Sequence, residues 1–313
     1  MRSEDFLKIR IATRRSPLAI WQTKHVAEKL IRHKEISEIE IIPMVTKGDK
    51  ILDRSLHKIG GKGLFIKELE TAILNGKADI AVHSMKDVPS ELPAGFCLAA
   101  TLPRANCRDA LITKNGENLN KLKKNAIVGT SSLRRQAQLK VLRPDFEIKP
   151  LRGNIDTRLK KLKNGNYDGI VLAAAGLERL KLEKNISHVF SIDEMLPAAA
   201  QGALGIECLD NNIKLCQILE SINDTRTFLT TFAERIIARE LNADCHSPIA
   251  ALAMIENNSF KLTALVAKPN GEKIIKESIS GDANQAEQLS KNLAVRLIDR
   301  GAKKLLQSIE VME

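Results

Sequence analysis

Strand-length apolar runs alternate with amphipathic stretches in two successive series along this 313-residue chain, and no other feature constrains the fold as strongly. "KIRIAT" (8–13) reads as a strand; Ser16-Pro17 then starts a helix, with serine as cap and proline in the first turn. That helix is expected to carry Ile20, Ala27, Leu30 and Ile31 on one face. "EIEIIPMVT" (38–46), "LFIKELETAIL" (64–74) and "ADIAVHS" (78–84) continue as strand, helix and strand. The series restarts after Pro103 with "DALITK", "AIVGT", "SLRRQAQLKVL", "FEIKPL", "NIDTRLKKLKNG" and "GIVLAAA". Such βαβ grammar predicts largely parallel sheets covered by helices, here as two α/β lobes with a cleft between them. "LPAAAQGALGIEC" (196–208) reads as a return crossing to the first lobe.

The grammar changes from Asp224. A helix over "TFLTTFAERIIAREL", with Phe228, Phe232, Ile236 and Leu241 at helical spacing, leads into the loop "LNADCHSPIAA". Three strand-like runs follow, "IAALAMI", "SFKLTALVA" and "EKIIKESIS", the last two joined by a Pro269-Asn270-Gly271 turn. One long helix from about Asn284 to Leu306 is expected to finish a small α+β domain. The domains are expected at 1–102 with 200–220, at 107–196, and at 224–313.

The five cysteines are scattered and form no C-x-x-C pair, so the spacing predicts neither a disulfide framework, nor a zinc ribbon, nor another metal site. No signal-peptide core and no run of about 18 apolar residues occurs, which predicts a soluble cytoplasmic protein. The net charge of +11 points to an anionic partner. An aromatic content of 3% leaves few rings to stack on bases and turns the expectation from nucleic acid toward small acidic ligands.

Three segments concentrate basic side chains after strand ends. "VGTSSLRRQ" runs a strand into Thr130, Ser131 and Ser132 and opens a helix with Arg134 and Arg135 in its first turn. Those cations oppose the helix dipole, so their placement calls for a countercharge. "PLRGNIDTR" repeats the arrangement with Arg152 and Arg158, and "RIATRRSP" with Arg14, Arg15 and Ser16. No G-x-x-x-x-G-K-[ST] motif makes any of them a P-loop. "HKIGGKGLFIKELE" adds Lys58, Lys62 and a Gly60-Gly61 pair, a segment suited to a lid. "AVHSMKDVPSELP" places Lys86 and Asp87 just past a strand end; His83 reads as a packing or capping histidine. A carboxylate among so many cations suits the stabilisation of positive charge on a substrate.

Taken with "VTKGD", "AAAGLERL", "AQGALGIE" and the late cysteine, these segments in this order resemble the porphobilinogen deaminases (hydroxymethylbilane synthases) over essentially the whole chain. The resemblance implies a cytoplasmic, monomeric transferase with two periplasmic-binding-protein-like α/β domains and a small C-terminal α+β domain. It implies stepwise condensation of four porphobilinogens, with loss of ammonia, to linear hydroxymethylbilane, which passes to uroporphyrinogen III synthase. It also implies a dipyrromethane cofactor joined by a thioether to Cys245, and Asp87 as the catalytic carboxylate. Lys86, Thr130, Ser131, Ser132, Arg134, Arg135, Ser16, Arg152 and Arg158 would bind the cofactor, and Arg14, Lys58, Lys62, Phe65 and Arg179 the substrate. No nucleic-acid or membrane partner is implied.

A two-lobed solute receptor would explain the lobes and the anion sites, but not the cysteine in a third domain. A cysteine hydrolase would need His246 as base, and neighbours in an extended loop seldom face each other. The sequence departs from the family at Ala243 and Asp244, where glycines often precede the cysteine, and at Ala200, which replaces a glycine. Ala243 and Asp244 are expected to stiffen the loop, and Asp244 to raise the thiol pKa by placing an anion nearby.

Overall fold

A computed structural model describes residues 7–50, 66–244 and 247–310. The chain forms two compact units, one of residues 1–104 and 203–228, the other of residues 105–202 and 229–313. In chain order the first unit opens with β1 (Leu7–Arg14), α1 (Pro17–Leu30), β2 (Ile36–Met44), α2 (Lys47–Lys50), α3 (Lys67–Leu74), β3 (Ile80–Ser84) and β4 (Phe96–Leu102). The second unit begins with β5 (Asp109–Thr113), β6 (Ile127–Gly129), α4 (Leu133–Leu142), β7 (Glu147–Lys149), α5 (Ile155–Lys163), β8 (Gly169–Ala173), α6 (Ala174–Arg179) and β9 (His188–Val189). β10 (Leu204–Leu209) and α7 (Ile213–Glu220) return to the first unit, and α8 (Thr225–Glu240) leads out of it again. β11 (Ile249–Glu256), β12 (Ser259–Ala267), β13 (Ile274–Asp282), α9 (Ala286–Asp299) and α10 (Ala302–Glu310) complete the second unit.

The first sheet has the order β2-β1-β3-β10-β4 and the second β7-β6-β8-β5-β9. In each, one strand runs against the other four: β10 in the first and β5 in the second. The largely parallel α/β lobes expected from the sequence are therefore present, each with one reversed strand in the fourth position.

Alternation along the strands makes each sheet two-faced. In the first unit Ile9, Ile11, Ile80 and Val82 pack with Val26 and Leu30 on one side, while Ala12 and Ala81 meet Leu69, Ala72 and Ile73 on the other. In the second, Leu111 and Val171 face Leu139 and Phe146, while Ala110, Ile112, Ile170 and Leu172 face Leu162 and Leu177. Burying each such large side chain contributes about 1.5–3 kcal/mol. α1 starts as its sequence predicts, with Ser16 Oγ accepting from the Ala19 N–H at 3.3 Å. Its buried face, however, is Gln22, Thr23, Val26 and Leu30, and Ile31 is exposed.

The C-terminal sheet, β11-β12-β13, is antiparallel. One face lies under α9 and α10; the other places Ala250, Leu252, Leu265 and Ala267 against Ala137 of α4 and Leu196. Asn257 and Asn258, both at positive φ, close the β11–β12 hairpin. The single terminal helix expected from the sequence is two helices. Gly301, at φ +91°, takes the left-handed conformation that ends α9, and α10 restarts beyond it.

Candidate active site

In each unit, most of the described basic residues singled out in the sequence lie at or just beyond the carboxyl ends of parallel strands, where open α/β sheets bind ligands. In the first unit, Arg14 ends β1 and Ser16 caps α1 beside it. Lys86 and Asp87 occupy a 3-10 turn (Met85–Asp87) directly after neighbouring β3, and Gln22 of α1 donates to Ser84 Oγ at 2.8 Å, tying the two strand ends together. Arg14 forms a two-pronged ion pair with Asp49, whose carboxylate also accepts from the Thr46 N–H (3.2 Å) and hydroxyl (2.8 Å). Burial alone would raise the Asp49 carboxyl, but the Arg14 and Thr46 bonds outweigh it and hold it below the usual carboxylate range. Asp87 is half-buried, and among the described residues its side chain takes part in no hydrogen bond or ion pair. Lys58, Lys62 and Phe65 lie outside the described residues.

In the second unit the same end of the sheet is built from three turns. Thr130 Oγ1 accepts from the Ser132 N–H at 3.1 Å, and Ser132 caps α4 by accepting from the Arg135 N–H at 3.4 Å. Ser131 Oγ donates to the Leu151 carbonyl and accepts from the Leu151 N–H, both at 3.0 Å, joining the turn after β6 to the turn after β7 that carries Arg152. Arg158 donates through Nε to the Gly153 carbonyl at 2.7 Å. Gly153, at φ +111°, admits no side chain there: a Cβ would lie 2.7 Å from the Thr157 methyl. Arg179, at the end of α6, donates to the Gly202 carbonyl at 2.7 Å. Burial pulls it down to about 10, against the opposing pull of Glu178, so it remains a cation at neutral pH. Burial also lowers Arg152.

Arg134 and Arg135 are almost fully buried, and both engage Asp109, the first residue of reversed strand β5. Arg134 reaches Oδ2 at 2.8 Å; Arg135 donates to Oδ1 through Nε at 3.0 Å and Nη2 at 2.7 Å. Gln201 adds a third donor to Oδ1 at 3.1 Å. Arg134 also donates to the Leu196 carbonyl at 2.7 Å, and Arg135 to the Val171 carbonyl at 3.0 Å. Burial would raise the Asp109 carboxyl, yet the two guanidiniums hold it far below the ordinary range. Two cations against one carboxylate leave the cluster with an uncompensated positive charge. Asp109 did not stand out in the sequence, where the one available signal was an aspartate opening an otherwise apolar strand, and Gln201 figured only as part of "AQGALGIE".

His83, as expected, is a packed histidine: its Nε2 lies 2.8 Å from Oε2 of the buried Glu207 on β10. Cys245 and His246 lie outside the described residues. On either side of them, the Asp244 carboxylate accepts from the Ser247 N–H and hydroxyl, both at 3.0 Å, and the Asp244 N–H donates back to Ser247 Oγ at 3.1 Å. Asp244 thus fastens the two ends of this loop to each other. Among the described residues, no helix is long and apolar enough to cross a membrane.

Residues 9–217 match the porphobilinogen deaminase, dipyromethane cofactor binding domain, and residues 228–299 the porphobilinogen deaminase C-terminal domain. The chain is 47% identical to the porphobilinogen deaminase of Chromobacterium violaceum over 302 residues, covering 96% of this chain and 98% of that protein. It is 48% identical to that of Xanthomonas axonopodis pv. citri (96% and 99% covered) and 46% identical to that of Buchnera aphidicola (97% of each). With two family domains in register and near-complete coverage of its relatives, this chain belongs to the porphobilinogen deaminase family.

Proposed function

We propose that the chain is a hydroxymethylbilane synthase, a transferase that condenses four porphobilinogens head to tail, releases ammonia, and yields linear hydroxymethylbilane. The observation that carries the reading is near-full-length similarity to proteins named porphobilinogen deaminase, through both of their domains. The reading extends to a monomer in the cytoplasm, divided at 1–102 with 200–220, 107–196 and 224–313, that passes its product to uroporphyrinogen III synthase.

The donor set fits a dipyrromethane bearing carboxylates. Hydroxyls at Thr130, Ser131 and Ser132, the net positive Arg134–Asp109–Arg135 cluster, and Arg152 and Arg158 gather on adjoining turns of the second unit. These residues, with Ser16 and Lys86, would hold the cofactor, and Cys245 would anchor it through a thioether. When bound, the dipyrromethane supplies the nucleophilic ring carbon to which substrate is joined. Arg14, Lys58, Lys62, Phe65 and Arg179 would receive the substrate. Each porphobilinogen brings an acetate and a propionate, so a fully extended chain carries about a dozen carboxylates, which guanidiniums match with paired hydrogen bonds. Asp87 accepts from pyrrole N–H groups and stabilises the positive charge that develops on the substrate ring as ammonia leaves.

Intact mass tests the anchor. The purified protein should exceed its sequence mass by two linked pyrroles, and Cys245→Ala should remove the excess; a native mass equal to the sequence mass would overturn the reading. Asp87→Asn should keep the excess mass but lower turnover by about 10²–10³-fold or more. Turnover within a few-fold of wild type would remove Asp87 from the mechanism.

A further inference from the structure

Three of the cysteines that look scattered in the sequence meet in the first unit. Cys97 on β4 and Cys208 on β10 are direct cross-strand partners, and Cys216 comes from α7. Their sulfurs form a triangle with edges of 3.6 Å (208 to 216), 3.7 Å (97 to 208) and 4.0 Å (97 to 216). A cation bound tetrahedrally at about 2.3 Å from thiolate sulfurs spaces those sulfurs about 3.8 Å apart, the centre of the observed range. Three of four tetrahedral corners are thus already in position. The fourth has a route from solvent: Cys97 and Cys216 line a hollow of about 340 Å³ with Ala99, Ile213, Gln217, Glu220 and Phe228.

We propose that Cys97, Cys208 and Cys216 form a three-thiolate site for zinc, with a solvent molecule as fourth ligand. Thiolate donors select thiophilic cations, and among the described residues no imidazole or carboxylate joins the triangle to favour a harder one. Zinc is preferred to copper(I) on charge: three thiolates leave one negative charge around Zn²⁺ and two around Cu⁺, and this pocket is largely apolar. Burial pushes the Cys97 thiol up to about 11 and Cys208 higher still. Starting from thiols, binding is Zn²⁺ + 3 RSH + H₂O → [Zn(SR)₃(OH₂)]⁻ + 3 H⁺, with no change of oxidation state. It releases protons and tightens as pH rises. The sites proposed for dipyrromethane and porphobilinogen share none of these residues.

Zinc added to the purified, metal-stripped holoprotein should be retained at one equivalent per chain through dialysis against a weak chelator, with about three protons released. Cobalt(II) in its place should give the intense thiolate charge-transfer and visible bands of a tetrahedral site. Cys216→Ser changes a half-exposed position at the rim of the hollow and should weaken zinc binding more than ~100-fold, since losing even an outer-shell partner costs 10–100-fold. Circular dichroism verifies its fold, and Cys97→Ser provides an independent second variant. Cys107→Ala, in the other unit, should keep the bound equivalent. If wild type, Cys216→Ser and Cys97→Ser retain the same zinc, or if wild type retains none, the three cysteines are merely packed apolar side chains and the proposal fails.

Discussion

In the first unit, reversed strand β10 buries Glu207 against the imidazole of His83; in the second, reversed strand β5 buries Asp109 against two guanidiniums. Both acids are fully buried and both lie on the reversed fourth strand of a five-stranded sheet, so the architecture around them is alike. The answering groups differ. Glu207 is matched at one oxygen by a single imidazole nitrogen of His83, whereas Asp109 Oδ1 alone receives three donors and Oδ2 lies 2.8 Å from Arg134. Imidazole can meet a carboxylate as a cation or as a neutral donor, but a guanidinium keeps its charge at any pH a protein survives. One fold has thus been given a buried acid matched by an imidazole in one unit and a permanently ionic pair in the other. The permanent one is the one beside the turns proposed to bind carboxylates.

Neutralising the two acids tests this difference most directly. Asp109→Asn strands two buried cations and should cost about 3–5 kcal/mol in urea unfolding. Glu207→Gln leaves His83 a hydrogen-bonding neighbour and no stranded cation, and should cost less, about 1–3 kcal/mol. Equal costs would mean that the imidazole pair is as ionic as the guanidinium cluster.

Acid titration sharpens the contrast. Glu70 on α3, buried near Glu207, is pushed up by desolvation and then by Glu207, against the weaker pulls of His83 and Lys67. A carboxyl raised in the folded state contributes stability below its unfolded value and loses it as pH rises through the folded value. Glu70→Gln should therefore stabilise the protein at neutral pH, with the gain disappearing below the ordinary glutamate range; urea midpoints across pH 3–8 measure it. Asp109 has the opposite sign: its contribution is complete above the unfolded value and is lost only as pH falls through its much lower folded value. A Glu70→Gln gain that persists at pH 3 would show that the group is not the source.

The smallest effect concerns a third buried acid, Glu234 of α8, whose carboxylate accepts from main chain on two sides: the Ala200 N–H at 2.5 Å and the Ala253 N–H at 2.7 Å. Ala200 is held at φ +59°, where a Cβ is unfavourable by roughly 1–2 kcal/mol. Ala200→Gly should recover about 1 kcal/mol, less the backbone entropy that glycine adds to the unfolded chain. A loss of stability would show that the Glu234 anchor depends on the alanine methyl.

Much of this was legible in the sequence because period and capping are local. Ser16-Pro17 announced α1, and apolar runs of strand length announced both sheets. The clusters of basic residues after strand ends were local too. What answers them was not: Asp109 lies 26 residues from Arg135 and Glu207 lies 124 from His83, and only strand order brings each pair together. The cysteine triangle was hidden for the same reason, with two strands and a helix each supplying one sulfur. The break at Gly301 was visible as a residue but masked by apolar periodicity continuing on both sides of it.

The place of β10 has a further consequence, in time. Among the described strands β4 pairs only with β10, and about a hundred residues separate the end of one from the start of the other. At ribosomal rates of ~5–20 residues per second, the newborn chain spends ~5–20 s with the edges of β3 and β4 open. During that interval the nascent chain presents Val82, Ala100 and Leu102 beside unsatisfied main-chain donors, an invitation to chaperones and to neighbouring nascent chains alike. The first sheet to be synthesised is therefore completed only after all five strands of the second have been made.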